Sequence, residues 1–122
     1  MFGSSEVVHS FTHFAFMALI VAVWAGLTEE LIYRGMLISA LRRSKFNLST
    51  RRKDSLAIVV SALIFGIGHV PFWGVPMSLA VTGVGVGFGV AYIATGELLV
   101  PVILYHIGFD LISILVSHFI SF

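Results

Sequence analysis

Four long runs of apolar residues, separated by short polar or glycine- and proline-containing stretches, dominate the chain. They lie at about 7–41, 55–70, 77–95 and 98–119, and the first contains no proline, which predicts one long helix. A helix of about 20 residues crosses the hydrocarbon core of a bilayer, where helices satisfy their own backbone hydrogen bonds. The pattern therefore predicts an all-α integral membrane protein, a compact bundle of about four transmembrane helices in a single domain over residues 1–122.

The connections between these runs carry polar and helix-breaking residues. Six of the seven basic residues lie in a loop at 42–53, the turn at 71–76 contains two prolines and a glycine, and residues 96–97 separate the last two runs. Short basic loops beside transmembrane helices stay in the cytoplasm. The 42–53 loop is therefore expected on the cytoplasmic side of a cell (inner) membrane, next to membrane lipid, with the 96–97 turn on the same side.

Composition agrees with a membrane protein and narrows the classes of function. Mean hydropathy is +1.04, and only 11% of residues are charged, against about 25% in soluble domains. Apolar runs flank the basic cluster on both sides, which argues against nucleic acid as a partner. The lack of cysteine excludes disulfides, thiolate zinc sites and a thiol nucleophile.

The third run contains a series of alternating glycines. Gly83 and Gly87, like Gly85 and Gly89, form small-xxx-small pairs of the kind that let helices approach closely in lipid. The run fits a phosphate-binding GxGxxG loop poorly and has no strand before it. We therefore interpret it as a packing surface and predict no nucleotide.

Six ionisable side chains interrupt three of the apolar runs, and such residues are costly inside a bilayer unless they serve a function. Three of them, Glu30, His69 and His106, lie about 12, 16 and nine residues from the predicted cytoplasmic ends of their runs. At 1.5 Å per residue those are roughly similar middle depths. One shared site is therefore predicted, formed by Glu29, Glu30, Arg34, His69, His106 and Asp110.

Helical spacing predicts local pairs within this set. Glu30 and Arg34 are four residues apart and can pair on one helix face, while Glu29 lies about 100° round the helix. The same spacing relates His106 to Asp110. Glu30 can thus balance the arginine while Glu29 faces a cavity.

These side chains suit the activation of water. A carboxylate can act as general base, one histidine can place the water, and another can donate a hydrogen bond to the oxyanion. No cofactor is predicted, yet zinc stays open, since Glu29, His69 and His106 could ligate a metal. An HExxH word is absent, and no Gly-x-Ser-x-Gly word marks a serine nucleophile.

Three motifs in order, Glu29-Glu30-x-x-x-Arg34, Phe65-x-x-x-His69 and His106-x-x-x-Asp110, resemble the CPBP family of intramembrane proteases. That family includes the CAAX prenyl endopeptidases of the Ras-converting-enzyme type and bacterial proteins linked to bacteriocin processing or immunity, the Abi-like proteins. The resemblance covers about residues 20–118. It implies a glutamate-dependent endopeptidase acting on a membrane-associated peptide or lipidated protein, such as a prenylated CAAX-type substrate.

The resemblance also implies a role for each residue. Glu29 resembles the water-activating glutamate, with His69 as its partner, and Glu30 with Arg34 resembles the supporting pair. His106 and the residue at 110 resemble the oxyanion-binding pair. Asp110 stands where many relatives have Asn, and an ionised Asp accepts hydrogen bonds but cannot donate one.

Two other functions stay open at this point. One is a non-catalytic membrane protein for bacteriocin immunity or partner binding, and the other is a proton or ion pathway through the buried ionisable residues. The oligomeric state and the natural substrate are not indicated by the sequence.

Overall fold

A computed structural model describes residues 4–120, and the predicted domain limits at 1–3 and 121–122 lie outside it. Helix α1 is Ser4–Glu30 and continues without a break into a π-helical segment, Leu31–Ile38, and a short α2, Ser39–Arg42. Helix α3 is Thr50–Ala94 and α4 is Leu99–Ile120. The first apolar run is thus one continuous helix, as predicted, with a π segment that was not.

Helix α3 is an antiparallel hairpin rather than one straight rod. Gly74, with φ 73° and ψ 171°, breaks it into an N-terminal arm (50–73) and a C-terminal arm (75–94). The arms pack face to face, since a Cβ built on Gly85 would lie 3.3 Å from the Ala62 backbone, and one on Gly89 would lie 3.4 Å from Ile58. Within residues 4–120, three helices are long and apolar enough to span a membrane, and the hairpin makes four membrane-spanning segments.

The predicted turn at 71–76 is wrong in its extent. Pro71 lies inside the N-terminal arm and Pro76 inside the first turn of the C-terminal arm. A proline in the first turn costs little, because its missing N–H would have no helical partner, and prolines are tolerated within transmembrane helices. The reversal itself rests on Gly74, whose backbone conformation is essentially restricted to glycine.

The four segments alternate in direction around a small core. Along α1 and α4, Phe14 stacks on His118 and Gly35 lies against Leu99, so the two helices are antiparallel. Each segment contributes to the buried cluster of Ile38, Ala57, Phe88, Tyr92 and Val102. Of the predicted glycine pairs, Gly85 and Gly89 are buried in the hairpin, while Gly83 and Gly87 have no neighbour there.

Much of the apolar surface remains outside this core. The accessible surface is 8288 Å², whereas a soluble globular protein of 13.3 kDa exposes roughly 6,400 Å². Large side chains such as Trp24, Phe72 and Tyr105 are among the most exposed. A bilayer removes the cost of this exposure, so the chain is a membrane protein.

An ion network closes one end of the bundle. Arg42 Nε donates to Asp54 at 2.7 Å and its Nη1 donates to Glu97 at 2.6 Å, while Arg43 reaches the second oxygen of Glu97 at 3.0 Å. The basic loop and the 96–97 turn therefore lie at the same end, as the four-helix topology requires. The loop is shorter than the predicted 42–53, because Arg42 ends α2 and α3 begins at Thr50.

Candidate active site

A fully buried ion pair lies at the centre of the site. Glu30 Oε1 accepts from Arg34 Nη1 at 3.1 Å, and both side chains are 0% exposed. The second terminal nitrogen of Arg34 donates to the carbonyl of Gly85 at 3.0 Å. The i, i+4 pairing is the one predicted from the sequence, and the contact with Gly85 adds a tie between the first helix and the C-terminal arm of α3.

Aromatic rings enclose the arginine. The guanidinium carbon lies 4.9 Å from the ring centre of Phe65 and 5.3 Å from that of Phe88. Such cation–π contacts are favourable, more so when desolvated. They place the charge between the two arms of α3 and help to offset its burial.

His106 joins the buried pair to α4. Its Nδ1 lies 2.6 Å from Glu30 Oε1, and its ring stacks on Phe88 with centroids 4.8 Å apart. Because Glu30 is paired with Arg34 as a carboxylate, it accepts, and His106 Nδ1 is the donor. The ring is thereby held in one orientation, with Nε2 directed away from the ion pair.

Two further carboxylates flank the Nε2 atom of His106. Glu29 Oε2 lies 3.6 Å and Asp110 Oδ2 3.5 Å from it, with side chains 28% and 26% exposed. Both contacts are longer than an ordinary hydrogen bond. The site thus has an inner, sealed ion pair and an outer, accessible pair of carboxylates, with His106 between them.

His69 reaches the same region from the N-terminal arm of α3. Its Nδ1 lies 2.7 Å from the carbonyl of Phe65, and the two rings are 4.7 Å apart. Phe65 also packs edge-on against His106 at 6.1 Å. No hydrogen bond or ion pair joins His69 to Glu29 within residues 4–120, so the predicted partnership of these two side chains does not rest on a direct hydrogen bond.

The π segment begins immediately after Glu30, and hydrogen bonds from other helices hold it. Ser61 Oγ donates to the carbonyl of Tyr33 within the segment at 3.0 Å. Directly after the segment, Ser39 Oγ lies 2.8 Å from the hydroxyl of Tyr92. π-helical turns are rare and often occur at functional sites. Apart from Gly35, residues 31–38 are ordinary in a helix, and nothing in the sequence predicted the π-helical segment or the hydrogen bonds that hold it.

The residues named for a possible metal do not form a metal site in this arrangement. In the described range, no three His, Cys, Asp or Glu side chains are placed to hold a metal ion. Among Glu29, His69 and His106, the described residues show an ion-pair contact only between Glu29 and His106. The expectation that no cofactor is needed stays a prediction.

The fold and the site together define a class: a helical membrane protein whose bundle encloses a site of carboxylates, histidines and one arginine. The family model described as type II CAAX prenyl endopeptidase Rce1-like matches residues 11–112. The chain therefore belongs to this Rce1-like family, as its three motifs indicated, and the family points to a protease in general. Comparisons with curated proteins and with solved structures gave no match.

Proposed function

We propose that the protein is an intramembrane endopeptidase in which Glu29 activates water to hydrolyse a peptide bond. The observation that carries this proposal is the two-layer site. The Glu29 carboxylate is partly accessible and lies 3.6 Å from a nitrogen of His106, whose other nitrogen bonds the sealed ion pair. A general base must be accessible to its substrate and held in a defined orientation. Glu29 is accessible, and it lies beside His106, whose ring orientation is fixed.

The tautomer of His69 suits the placing of water. The Phe65 carbonyl can only accept, so His69 Nδ1 carries the proton, and the same holds for His106 Nδ1 opposite Glu30. When its ring carries a single proton, His69 Nε2 is an acceptor, whereas His106 Nε2 lies between the carboxylates of Glu29 and Asp110 and interacts favourably with them only as a protonated donor. A water molecule that donates one hydrogen to Glu29 and the other to His69 directs its oxygen lone pair at the scissile carbonyl.

The substrate is expected to be a peptide at the membrane, such as the C-terminal segment of a prenylated protein. The family name supports this class, and the apolar exterior of the helices lets a lipidated chain approach from the bilayer. With the basic loop in the cytoplasm, the peptide would enter from that side. The prenyl group anchors the substrate in the bilayer and the peptide reaches Glu29.

The test is cleavage of a quenched-fluorescent prenylated CAAX peptide by the purified chain in detergent. We expect Glu29→Gln to lower kcat by about 10²–10⁴-fold, the usual contribution of a general base. Glu6→Gln changes an exposed glutamate near the other end of the first helix and should retain activity. His13→Ala, which changes an exposed histidine of α1, is the control for His69→Ala.

Further assay conditions separate the alternatives. Cleavage of the same peptide without its prenyl group tests the substrate class. Cleavage in the presence of a chelator, followed by addition of zinc, tests metal dependence. Cleavage that survives both Glu29→Gln and His69→Ala would overturn the mechanism. If the folded wild-type chain cleaves no peptide of this class, the immunity interpretation gains weight.

A further inference from the structure

We propose that the Tyr33 hydroxyl is a catalytic hydrogen-bond donor that stabilises the oxyanion formed during peptide hydrolysis. This inference rests on the proposed function and extends it by one residue. It starts from a shortage of donors at the accessible face of the site, and it identifies a neutral group able to meet that shortage.

The groups that face the reacting region offer few hydrogen-bond donors. Glu29 and Asp110 are carboxylates, and His69 and His106 each use their Nδ1 proton within the fold. His69 Nε2 then has a lone pair when the ring carries one proton, and His106 Nε2, which lies between two carboxylates, can donate only when both of its ring nitrogens are protonated. The Arg34 guanidinium, though a donor, is 0% exposed and bound to Glu30 and to the Gly85 carbonyl. The pair formed by His106 and Asp110 would need additional protons to bind an oxyanion.

Tyr33 lies one turn beyond Glu29 on the first helix. It follows Glu29 by four residues, the spacing at which Glu30 and Arg34 make contact, and helical side chains lean toward the N-terminus of the helix. A Cβ built on Gly68 would lie 3.3 Å from the Tyr33 hydroxyl, which places that oxygen beside the residue preceding His69. The hydroxyl makes no hydrogen bond with another group in the part of the chain that is described.

The fold fixes the Tyr33 ring and leaves its hydroxyl available. The ring packs edge-on against Phe65 with centroids 5.1 Å apart, and its backbone carbonyl accepts from Ser61. Gly68 is exposed, so a peptide backbone can approach the hydroxyl over a residue that has no side chain. A preorganised donor at the developing charge is the feature that stabilises such an intermediate.

The proposed step balances as follows. Water attacks the carbonyl carbon, one of its protons passes to Glu29, a C–O bond forms, and the carbonyl electron pair moves to the oxygen. Tyr33 donates a hydrogen bond to that oxyanion and keeps its proton. Collapse re-forms the C=O bond, breaks the C–N bond, and transfers the proton from Glu29 to the leaving amine.

The test compares tyrosine-to-phenylalanine variants in the peptide cleavage assay. We expect Tyr33→Phe to lower kcat by about 10²-fold or more, as loss of one oxyanion donor does, with little change in KM or in thermal unfolding. Tyr105→Phe removes the same hydroxyl from a lipid-facing side chain that is 73% exposed and should match wild type. Trp73→Phe removes the indole N–H near His69 and should leave kcat within a few-fold.

A second variant tests the position of the Tyr33 hydroxyl rather than its chemistry. Gly68→Ala places a methyl group against the Tyr33 hydroxyl without harming a helix, so it should lower kcat less than Tyr33→Phe does. Wild-type kcat in Tyr33→Phe, with Glu29→Gln inactive, would overturn the role of Tyr33 and leave the protease standing. Absence of cleavage by the folded wild-type chain would overturn both.

Discussion

Replacing Arg34 with methionine should destabilise the bundle more than any change to its surface charges. Methionine keeps an unbranched apolar chain of similar length but removes the guanidinium. Glu30 would then remain 0% exposed, and His106 would be its one remaining side-chain hydrogen-bond partner among residues 4–120. The Gly85 carbonyl would lose its bond from the first helix.

The expected cost follows from these contacts. Removing one partner of a buried ion pair usually costs about 3–5 kcal/mol, because the other charge is left uncompensated. Arg34→Met should therefore lower the free energy of unfolding by about that amount. Arg43→Met provides the control, since that side chain is 72% exposed in its ion pair with Glu97 and such pairs are worth at most about 1 kcal/mol.

The assay is denaturant-induced unfolding in mixed detergent micelles, followed by circular dichroism. The double variant Glu30→Gln/Arg34→Met should be less destabilised than the sum of the two single variants, because it removes both buried charges. An Arg34→Met variant within about 1 kcal/mol of wild type, or strict additivity in the double variant, would refute the reasoning. Either result would mean that water reaches the pair.

Three other changes test particular contacts. Gly74→Ala should prevent the hairpin from closing, since φ 73° with ψ 171° is a region essentially limited to glycine, and cysteine accessibility on either side of the membrane would report the lost reversal. Gly66→Ala should cost about 1–3 kcal/mol by overpacking, because its Cβ would lie 2.9 Å from a carbonyl of the facing arm. Gly87→Ala is the control and should be neutral, because its Cβ meets nothing within 4 Å. Unfolding midpoints of the two variants give the comparison. Ser39→Ala and Tyr92→Phe remove the same hydrogen bond, so each should cost about 1 kcal/mol and the pair should be less than additive in an unfolding cycle.

Hydropathy predicted the number of membrane-spanning segments, because each segment must bury about 20 apolar residues in lipid. It did not predict their limits. Because α3 begins at Thr50, three basic residues lie in its first turn, where water and lipid head groups solvate their charges. The role of Gly74 was also hidden, because prolines on either side suggested a longer turn than one glycine provides.

Within the site, the contacts that depend on helical spacing could be predicted, and those that depend on packing could not. The Glu30–Arg34 pair follows from a separation of four residues. By contrast, the bond from His106 to Glu30 joins residues 76 positions apart, and it requires the docking of α4 against the first helix. The stacking of Phe88 on His106 likewise depends on which face of the glycine-rich arm is turned inward.

The bond between His106 and Glu30 links stability with the orientation of the site. One oxygen, Glu30 Oε1, accepts from both Arg34 and His106, so a change in the buried pair alters the packing of the bundle and the direction of His106 Nε2 together. Glu29 and Asp110 are outside that pair and partly exposed. Loss of activity in an Arg34 variant would therefore be ambiguous by itself, whereas loss of activity in Glu29→Gln at unchanged unfolding free energy would report chemistry alone.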